Sequence, residues 1–296
     1  MIKLKNLKGE FMKPIKKAVI LAAGFGTRFL PFSKSVYKGM LPIIDTPTIE
    51  LIVNELVDSG IEEILMIVGF NKENVISHFS SNKILEEKFK DKPEYLKAVT
   101  NQLKAKFSFV EQKVINGTGG AILLAEDFTK DEPFLMCFAD DLMFSDVPVS
   151  KQLIDEYNRT GKAVLGCQSI PKEQVVRCSS VEYSSKNGRS HVVTRVVEKP
   201  KFEDIKSTLS TLGRYIFLPS IYDYCRKLKI NQTCNELCIT DTYDMIAENE
   251  GLIAYEFEGT RYDIGNKFGY LTAVFDYALK NPEYSEKLKE YIKERI

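Results

Sequence analysis

Histidine and tryptophan are almost missing: 296 residues include two histidines, His78 and His191, and no tryptophan. The shortage of imidazole removes the usual general base from most of the chain. Six cysteines are scattered (Cys137, Cys167, Cys178, Cys225, Cys234 and Cys238) with no C-x-x-C, which argues against a thiolate or imidazole zinc site. Cys234 and Cys238 stand four apart but no histidine lies near them, so six free thiols are expected. Charge of one sign is also lacking. The 41 basic and 41 acidic residues cancel, which disfavours nucleic acid or an anionic membrane as partner. No apolar run approaches the roughly 20 residues that cross a bilayer, and MIKLKNLKGEFMKPIKK has no signal-peptide core, so a cytoplasmic chain is expected.

What is present is an ordinary globular composition, 44% apolar and 28% charged, in a chain long enough to bury roughly three quarters of its unfolded surface. Chemistry must then come from carboxylates, cationic side chains, backbone amides or a bound metal. Residues 1–16 carry five lysines without periodicity and read as an extension. From Lys17 the pattern alternates between strand and helix. KAVILAA is a continuous apolar run of strand length that stops at Gly24. Residues 48–60 place apolar side chains at 49, 52, 53, 56 and 57, one helical face, and EEILMIVGF follows as a second strand. Residues 71–104 read as two or three surface helices and 106–112 as a strand. Helical spacing over 119–128 leads to the buried strand PFLMCFADDL, a helix over 149–160 and a strand over 163–170. At least five of these strands are expected to be parallel with helices on both faces, a doubly wound α/β sheet. Beyond Pro171 shorter alternating pieces, with a turn signal at Lys186-Asn187-Gly188, predict a hairpin, then the strand GRYIFL. Helices over 219–229 and 240–249, a strand pair near 252–258 and helices over 267–279 and 282–296 complete the reading. No repeat of 20–50 residues occurs, so one mostly parallel mixed sheet with a small peripheral β/α subdomain is expected.

The first strand runs into Ala22-Ala23-Gly24-Phe25-Gly26-Thr27-Arg28-Phe29-Leu30-Pro31. Small residues there let backbone N–H groups approach a phosphate, and Arg28 offers a forked permanent cation. It is neither a dinucleotide fingerprint, because Phe29 replaces the third glycine, nor a Walker loop, because no G-K-[ST] follows. Asp140 ends a buried strand and Asp141 follows it, delivering carboxylates to the carboxyl edge where open α/β sheets bind ligands. Successive strand side chains face opposite ways, so only one of the two can enter a site there.

Taken together, KAVILAAGFGTRFLP, K-x-MLPI-x-D-x-PTI, GTGGAILLA, ADDL, VVEKP, GRYIF, NELCITDT and FEGTRYDIGNKFGYL resemble, in order and spacing, the sugar-1-phosphate nucleotidyltransferases, most closely the bacterial UTP:glucose-1-phosphate uridylyltransferases. The resemblance spans about Lys17 to Ile292. It implies a Rossmann-like nucleotidyltransferase fold over 17–296, with a nucleotide-binding half (17–170), a sugar-binding half (171–266) and C-terminal helices (267–296). It implies that the phosphate of glucose 1-phosphate attacks the α-phosphorus of UTP in line, releasing pyrophosphate. A phosphate oxygen is already anionic, so no general base is required, which agrees with the scarce histidine. The protein's task is then to align two polyanions and offset their repulsion.

The resemblance assigns roles residue by residue. Asp140 and Asp263 would hold Mg²⁺, Lys38 would reach the triphosphate beside Arg28, and Lys199 would hold the sugar phosphate. The turn residues Ala22, Ala23, Gly24, Gly26 and Thr27 would cradle the nucleotide, with Gln112 and Gly117 reading the base. Glu198 would accept from sugar hydroxyls, with Ser179, Gly213 and Glu236 lining the sugar side. Asp141 is expected as a supporting residue, and His78 and His191 as structural. A homodimer or homotetramer contacting through 267–296 is implied. Several positions depart from the family's pattern: Gly39 stands where Glu is usual, Glu111 for Arg, Gly120 for His or Asp, Cys178-Ser179 for Tyr-Gly, Cys238 for Gln and Ala139 for Gly. The phosphate and metal positions match while the specificity positions have drifted. Two alternatives therefore stand beside the uridylyltransferase reading: a transferase for another base or sugar, such as a thymidylyltransferase, and a silent nucleotide-sugar-binding regulator.

Overall fold

The computed structural model describes residues 12–100 and 104–295. Of the expected extension, residues 1–11 lie outside the described residues. The rest is anchored to the fold: Ile15 is buried in the core, and Lys13 O accepts from Tyr157 Oη at 3.2 Å.

The apolar runs become a nine-stranded sheet. Its spatial order is Lys106–Glu111, Glu63–Val68, Lys17–Ala22, Phe134–Phe138, Leu209–Phe217, Ala163–Ser169, Leu252–Glu256, Ser190–Glu198 and Ser179–Asn187. All but Leu209–Phe217 and Ser190–Glu198 run the same way. The five strands expected to be parallel are so, but they are not contiguous. Leu209–Phe217, which includes the expected GRYIFL strand, is inserted antiparallel between Phe134–Phe138 and Ala163–Ser169.

Alternation along each buried strand divides the core in two. Ala18 and Ile20 face one cluster with Ile52 and Leu56 of helix Thr48–Asp58 and Leu153 of helix Val149–Thr160. Val19 and Leu21 face the other, with Ile122 of helix Thr118–Leu123 and Ile246 of helix Tyr243–Asn249. Both faces are covered, which is why these strands read as unbroken apolar runs. The Lys-rich stretch holds three surface helices, Lys72–His78, Lys83–Phe89 and Pro93–Thr100.

Two expectations are corrected. The strand pair near 252–258 is one strand, Leu252–Glu256. The next, Thr260–Asp263, pairs instead with Asp141–Phe144, because the ladder between them places Asp263 opposite Asp141 and Tyr262 opposite Leu142. The six free thiols are four: Cys137, Cys167, Cys178 and Cys225 are free, whereas Cys234 and Cys238 are bonded. Asn235 adopts a left-handed turn (φ 56°) and Asn231 pairs with Glu236, folding the chain back so that the two sulfurs meet.

Candidate active site

The strand Lys17–Ala22 delivers its loop to the carboxyl edge of the sheet. There Gly26 (φ 65°) starts the short turn Thr27–Phe29, its carbonyl accepting from Ser33 Oγ at 2.8 Å. Arg28 leaves that turn 70% exposed, touching Gly265 O from Nη1 at 3.3 Å and lying 3.8 Å from Asp263 Oδ2. So exposed a guanidinium is free to turn onto an incoming anion.

Phe134–Phe138 ends at Ala139 and delivers Asp140, whose backbone oxygen accepts from Ile264 N at 2.8 Å. That contact extends the small ribbon and draws Asp263 to Asp140. Their carboxylates converge over Gly265: a Cβ there would lie 2.7 Å from Asp140 Oδ2 and 2.9 Å from Asp263 Oδ1. Lys38 Nζ is ion-paired with Asp140 Oδ2. Two carboxylates with no third protein ligand suit a hard divalent cation that keeps sites for water and phosphate oxygens, and no group of three or more metal-binding side chains occurs among the described residues. The residues therefore fit the expected Mg²⁺.

Asp141 is taken up by arginines instead. Its Oδ1 accepts from Arg261 Nε at 2.6 Å, and its backbone oxygen accepts from Arg214 Nη1 at 3.0 Å. Burial pushes its pKa up, with Arg261 opposing the rise. It also fixes Gly213. At φ 61° a Cβ there would be strained and would lie 2.6 Å from Asp141 Cβ.

On the sugar side, Ser190–Glu198 ends at Lys199, a non-glycine residue at φ 45° whose N–H donates to Cys178 O at 2.7 Å. Such a conformation costs on the order of 1–3 kcal/mol and is retained where the surroundings dictate it. Glu198 Oε2 accepts from Thr240 Oγ1 at 2.9 Å, and burial raises the Glu198 pKa against that bond and the Lys199 charge. Ser179 is buried with its hydroxyl bonded to Thr211 Oγ1 at 2.8 Å, so it turns toward strand Leu209–Phe217.

On the base side, Gln112 Nε2 donates to Asn116 Oδ1 at 3.3 Å and to Gly117 O at 3.2 Å. Gly120 accounts for that arrangement: Asn116 occupies the space a side chain at 120 would need. Gly39 is explained similarly, since a Cβ there would lie 2.6 Å from the Tyr37 ring. Glu111 is paired with Lys72, which holds its pKa low.

Nearly all the expected residues line two adjoining cavities. Ala23, Gly24, Gly26, Thr27, Arg28, Lys38, Gln112, Gly117, Asp140, Lys199 and Glu236 line a cleft of about 590 Å³, and Asp263 borders it through Arg28 and Gly265. Ser179, Glu198, Lys199, Gly213 and Glu236 line a cavity of about 230 Å³. Lys199 and Glu236 belong to both. Ala22 stands apart, buried in the strand behind the cleft. His78 is paired with Glu50 at 2.8 Å, and His191 is buried on strand Ser190–Glu198; neither lines the two cavities. A larger cavity of about 810 Å³ lies elsewhere, lined by Glu55, Asp58, Asp146 and Glu258 with Lys280 as its one cation. That lining would repel a phosphate.

Sequence reasoning missed Arg261, Thr240 and the Arg214–Glu55 pair. Arg261 carried a usable signal: it precedes Asp263 by two on a strand, so both project to one face. Arg214 carried none, because its partner Glu55 lies in a distant helix.

A family model described as nucleotidyl transferase matches residues 17–280. The UTP–glucose-1-phosphate uridylyltransferase of Staphylococcus epidermidis is 41% identical over 286 residues, covering 96% of this chain and 99% of that protein. A UDP-glucose pyrophosphorylase solved in complex with UDP-glucose superposes with a TM-score of 0.81 at 34% identity, over 90% of this chain and 100% of that one. The UTP-bound enzyme of Acinetobacter baumannii gives 0.84 at 31% identity, over 95% and 100%. With its sheet, its cleft and its near full-length likeness to these proteins, the chain belongs to the nucleotidyl transferase family, among the UTP–glucose-1-phosphate uridylyltransferases.

Proposed function

We propose that the chain transfers a uridylyl group from UTP to α-D-glucose 1-phosphate, giving UDP-glucose and pyrophosphate. The observation that carries this reading is the adjoining pair of cavities with Lys199 and Glu236 in their common wall. One cavity offers an amide, glycines and cations, as a nucleoside triphosphate requires. The other offers carboxylates, Glu198 and Glu236 among them, beside hydroxyls and aromatic rings, as a hexose requires.

Residues 17–170 handle the nucleotide in this reading and residues 171–266 the sugar. Gln112 supplies donor and acceptor to the uracil edge beside Gly117, while Ala23 through Thr27 pass along the ribose and phosphates. Arg28 and Lys38 neutralise the triphosphate as they exchange carboxylate partners for phosphate oxygens. Lys199 brings the sugar phosphate to the α-phosphorus and Glu198 accepts from ring hydroxyls. Asp140 and Asp263 would hold Mg²⁺, which supplies charge neutralisation for the reacting and leaving oxygens. No side chain has to remove a proton.

The chemistry needs no membrane contact, and no described helix is long and apolar enough to cross one. We place the enzyme in the cytoplasm, where both substrates are made. Helix Lys267–Lys280 exposes Phe268, Leu271 and Phe275 along one side, and on that feature we assign a homodimer or homotetramer. The test of function is direct. Purified protein with UTP, glucose 1-phosphate and Mg²⁺ should release pyrophosphate, with the other three nucleoside triphosphates poorer substrates. A preference for dTTP would favour the thymidylyltransferase reading, and UDP-glucose binding without turnover would favour a silent regulator.

A further inference from the structure

The one bonded sulfur pair among the described residues lies in the sugar cavity, which Cys234, Glu236 and Cys238 line together. The remaining thiols are less suited to exchange: Cys178, half-buried in the wall of the same cavity, has its thiol pushed up by burial. Cys137, Cys167 and Cys225 are buried, and burial pushes the thiols of Cys137 and Cys225 up to about 12, leaving almost no thiolate near neutrality. The segment is also tied to the base-reading loop. Leu237 N donates to Asn116 O and Gly119 N to Leu237 O, both at 2.8 Å, while Asn231 N donates to Glu236 O at 2.9 Å. A covalent change at the two sulfurs is therefore carried to Glu236, in the common wall, and to the loop bearing Gly117.

We propose that Cys234 and Cys238 form a reversible thiol–disulfide modification site that sets the affinity for the sugar phosphate, its oxidant being a low-molecular-weight disulfide. This rests on the functional reading above. Starting from the dithiol, the more accessible Cys234 attacks as thiolate on one sulfur of the small disulfide. That S–S bond breaks and one thiolate leaves with the bonding pair. Cys238 gives its proton to solvent, its sulfur attacks Cys234 Sγ, and the second small thiolate leaves. Two cysteine thiols lose two electrons between them, and one small disulfide gains two to become two thiols. The closed ring holds Glu236 at the rim of the cavity. Once open, the segment keeps only its hydrogen bonds, and Cys238 presents a free thiol to the sugar.

The test uses the full chain, equilibrated with glutathione disulfide or with dithiothreitol. After denaturation and alkylation with N-ethylmaleimide, the oxidised protein should carry two fewer adducts, both missing from the peptide containing Cys234 and Cys238. The KM for glucose 1-phosphate should rise at least threefold on reduction, and Cys234→Ser should abolish that response. Equal adduct counts, equal KM values, or a response that survives in Cys234→Ser each overturn the proposal; if Cys234→Ser fails to fold, Cys238→Ala serves in its place. Absence of pyrophosphate in both redox states would count against the functional reading instead, and the adduct pattern would then decide the sulfur chemistry alone.

Discussion

Lys38 Nζ rests on Asp140 Oδ2, so the cation assigned to the triphosphate is held by a carboxylate assigned to the metal. Nucleotide and Mg²⁺ must part this pair together, since either alone leaves one charge without its partner. UTP binding measured by calorimetry should therefore strengthen as Mg²⁺ is added. Asp140→Asn should lower kcat by about 10²-fold or more, the scale seen when a group that stabilises developing charge is removed. Near wild-type pyrophosphate release in that variant would show that the metal assignment is misplaced.

Gly265 owes its identity to the carboxylates beside it, because a Cβ would fall within 3 Å of both Asp140 and Asp263. Gly265→Ala should push them apart and lower kcat at least tenfold. Its melting temperature should stay within a few degrees of wild type, because the strain falls on an open cleft. Asp263→Asn should lose turnover comparably, and parallel circular dichroism melts would separate both effects from misfolding.

Arg214 is fully buried and its guanidinium faces Glu55, which also accepts from Ser150 N at 2.9 Å and from Ser150 Oγ at 2.6 Å. Removing one partner leaves a charge uncompensated in the core. Glu55→Gln should cost about 3–5 kcal/mol of stability, read by urea denaturation. The double variant Glu55→Leu with Arg214→Met should cost less than the sum of the single changes.

Glu198 gives the site an acid limb. Its folded pKa lies above the ordinary glutamate range, burial being the main cause, so the proton is taken up at a higher pH than in the unfolded chain. Ionisation of this group accordingly weakens the fold as pH rises through that window, whereas binding of sugar hydroxyls needs the ionised form. The KM for glucose 1-phosphate should rise as pH falls into the window. Glu198→Gln should show a higher and pH-independent KM there, and a limb that persists in this variant would assign the titration to another group.

The strands and their helices were readable because a sheet covered on both faces demands continuous apolar runs, as in Lys17–Ala22. Their order was not. The antiparallel entry of Leu209–Phe217 depends on pairing with Phe134–Phe138 and Ala163–Ser169, which no local pattern records. In the site, Arg28, Lys38 and Lys199 were legible through motif context. The support beneath them was less so. Arg261 and Asp141 meet only when the ribbon forms, Arg214 sits with its charge inside an apolar strand, and the sulfurs of Cys234 and Cys238 meet only once Asn235 turns the chain back. Each depends on neighbours remote in sequence or on a backbone turn that residue type alone does not dictate.

The insertion of Leu209–Phe217 has a temporal consequence for biosynthesis. An emerging polypeptide can pair Lys17–Ala22 with Glu63–Val68 early, yet the middle of the sheet stays open until residue 217 has left the ribosome. Until then the exposed edge of Phe134–Phe138 invites wrong partners, so productive folding of this enzyme waits until all residues through Phe217 have emerged.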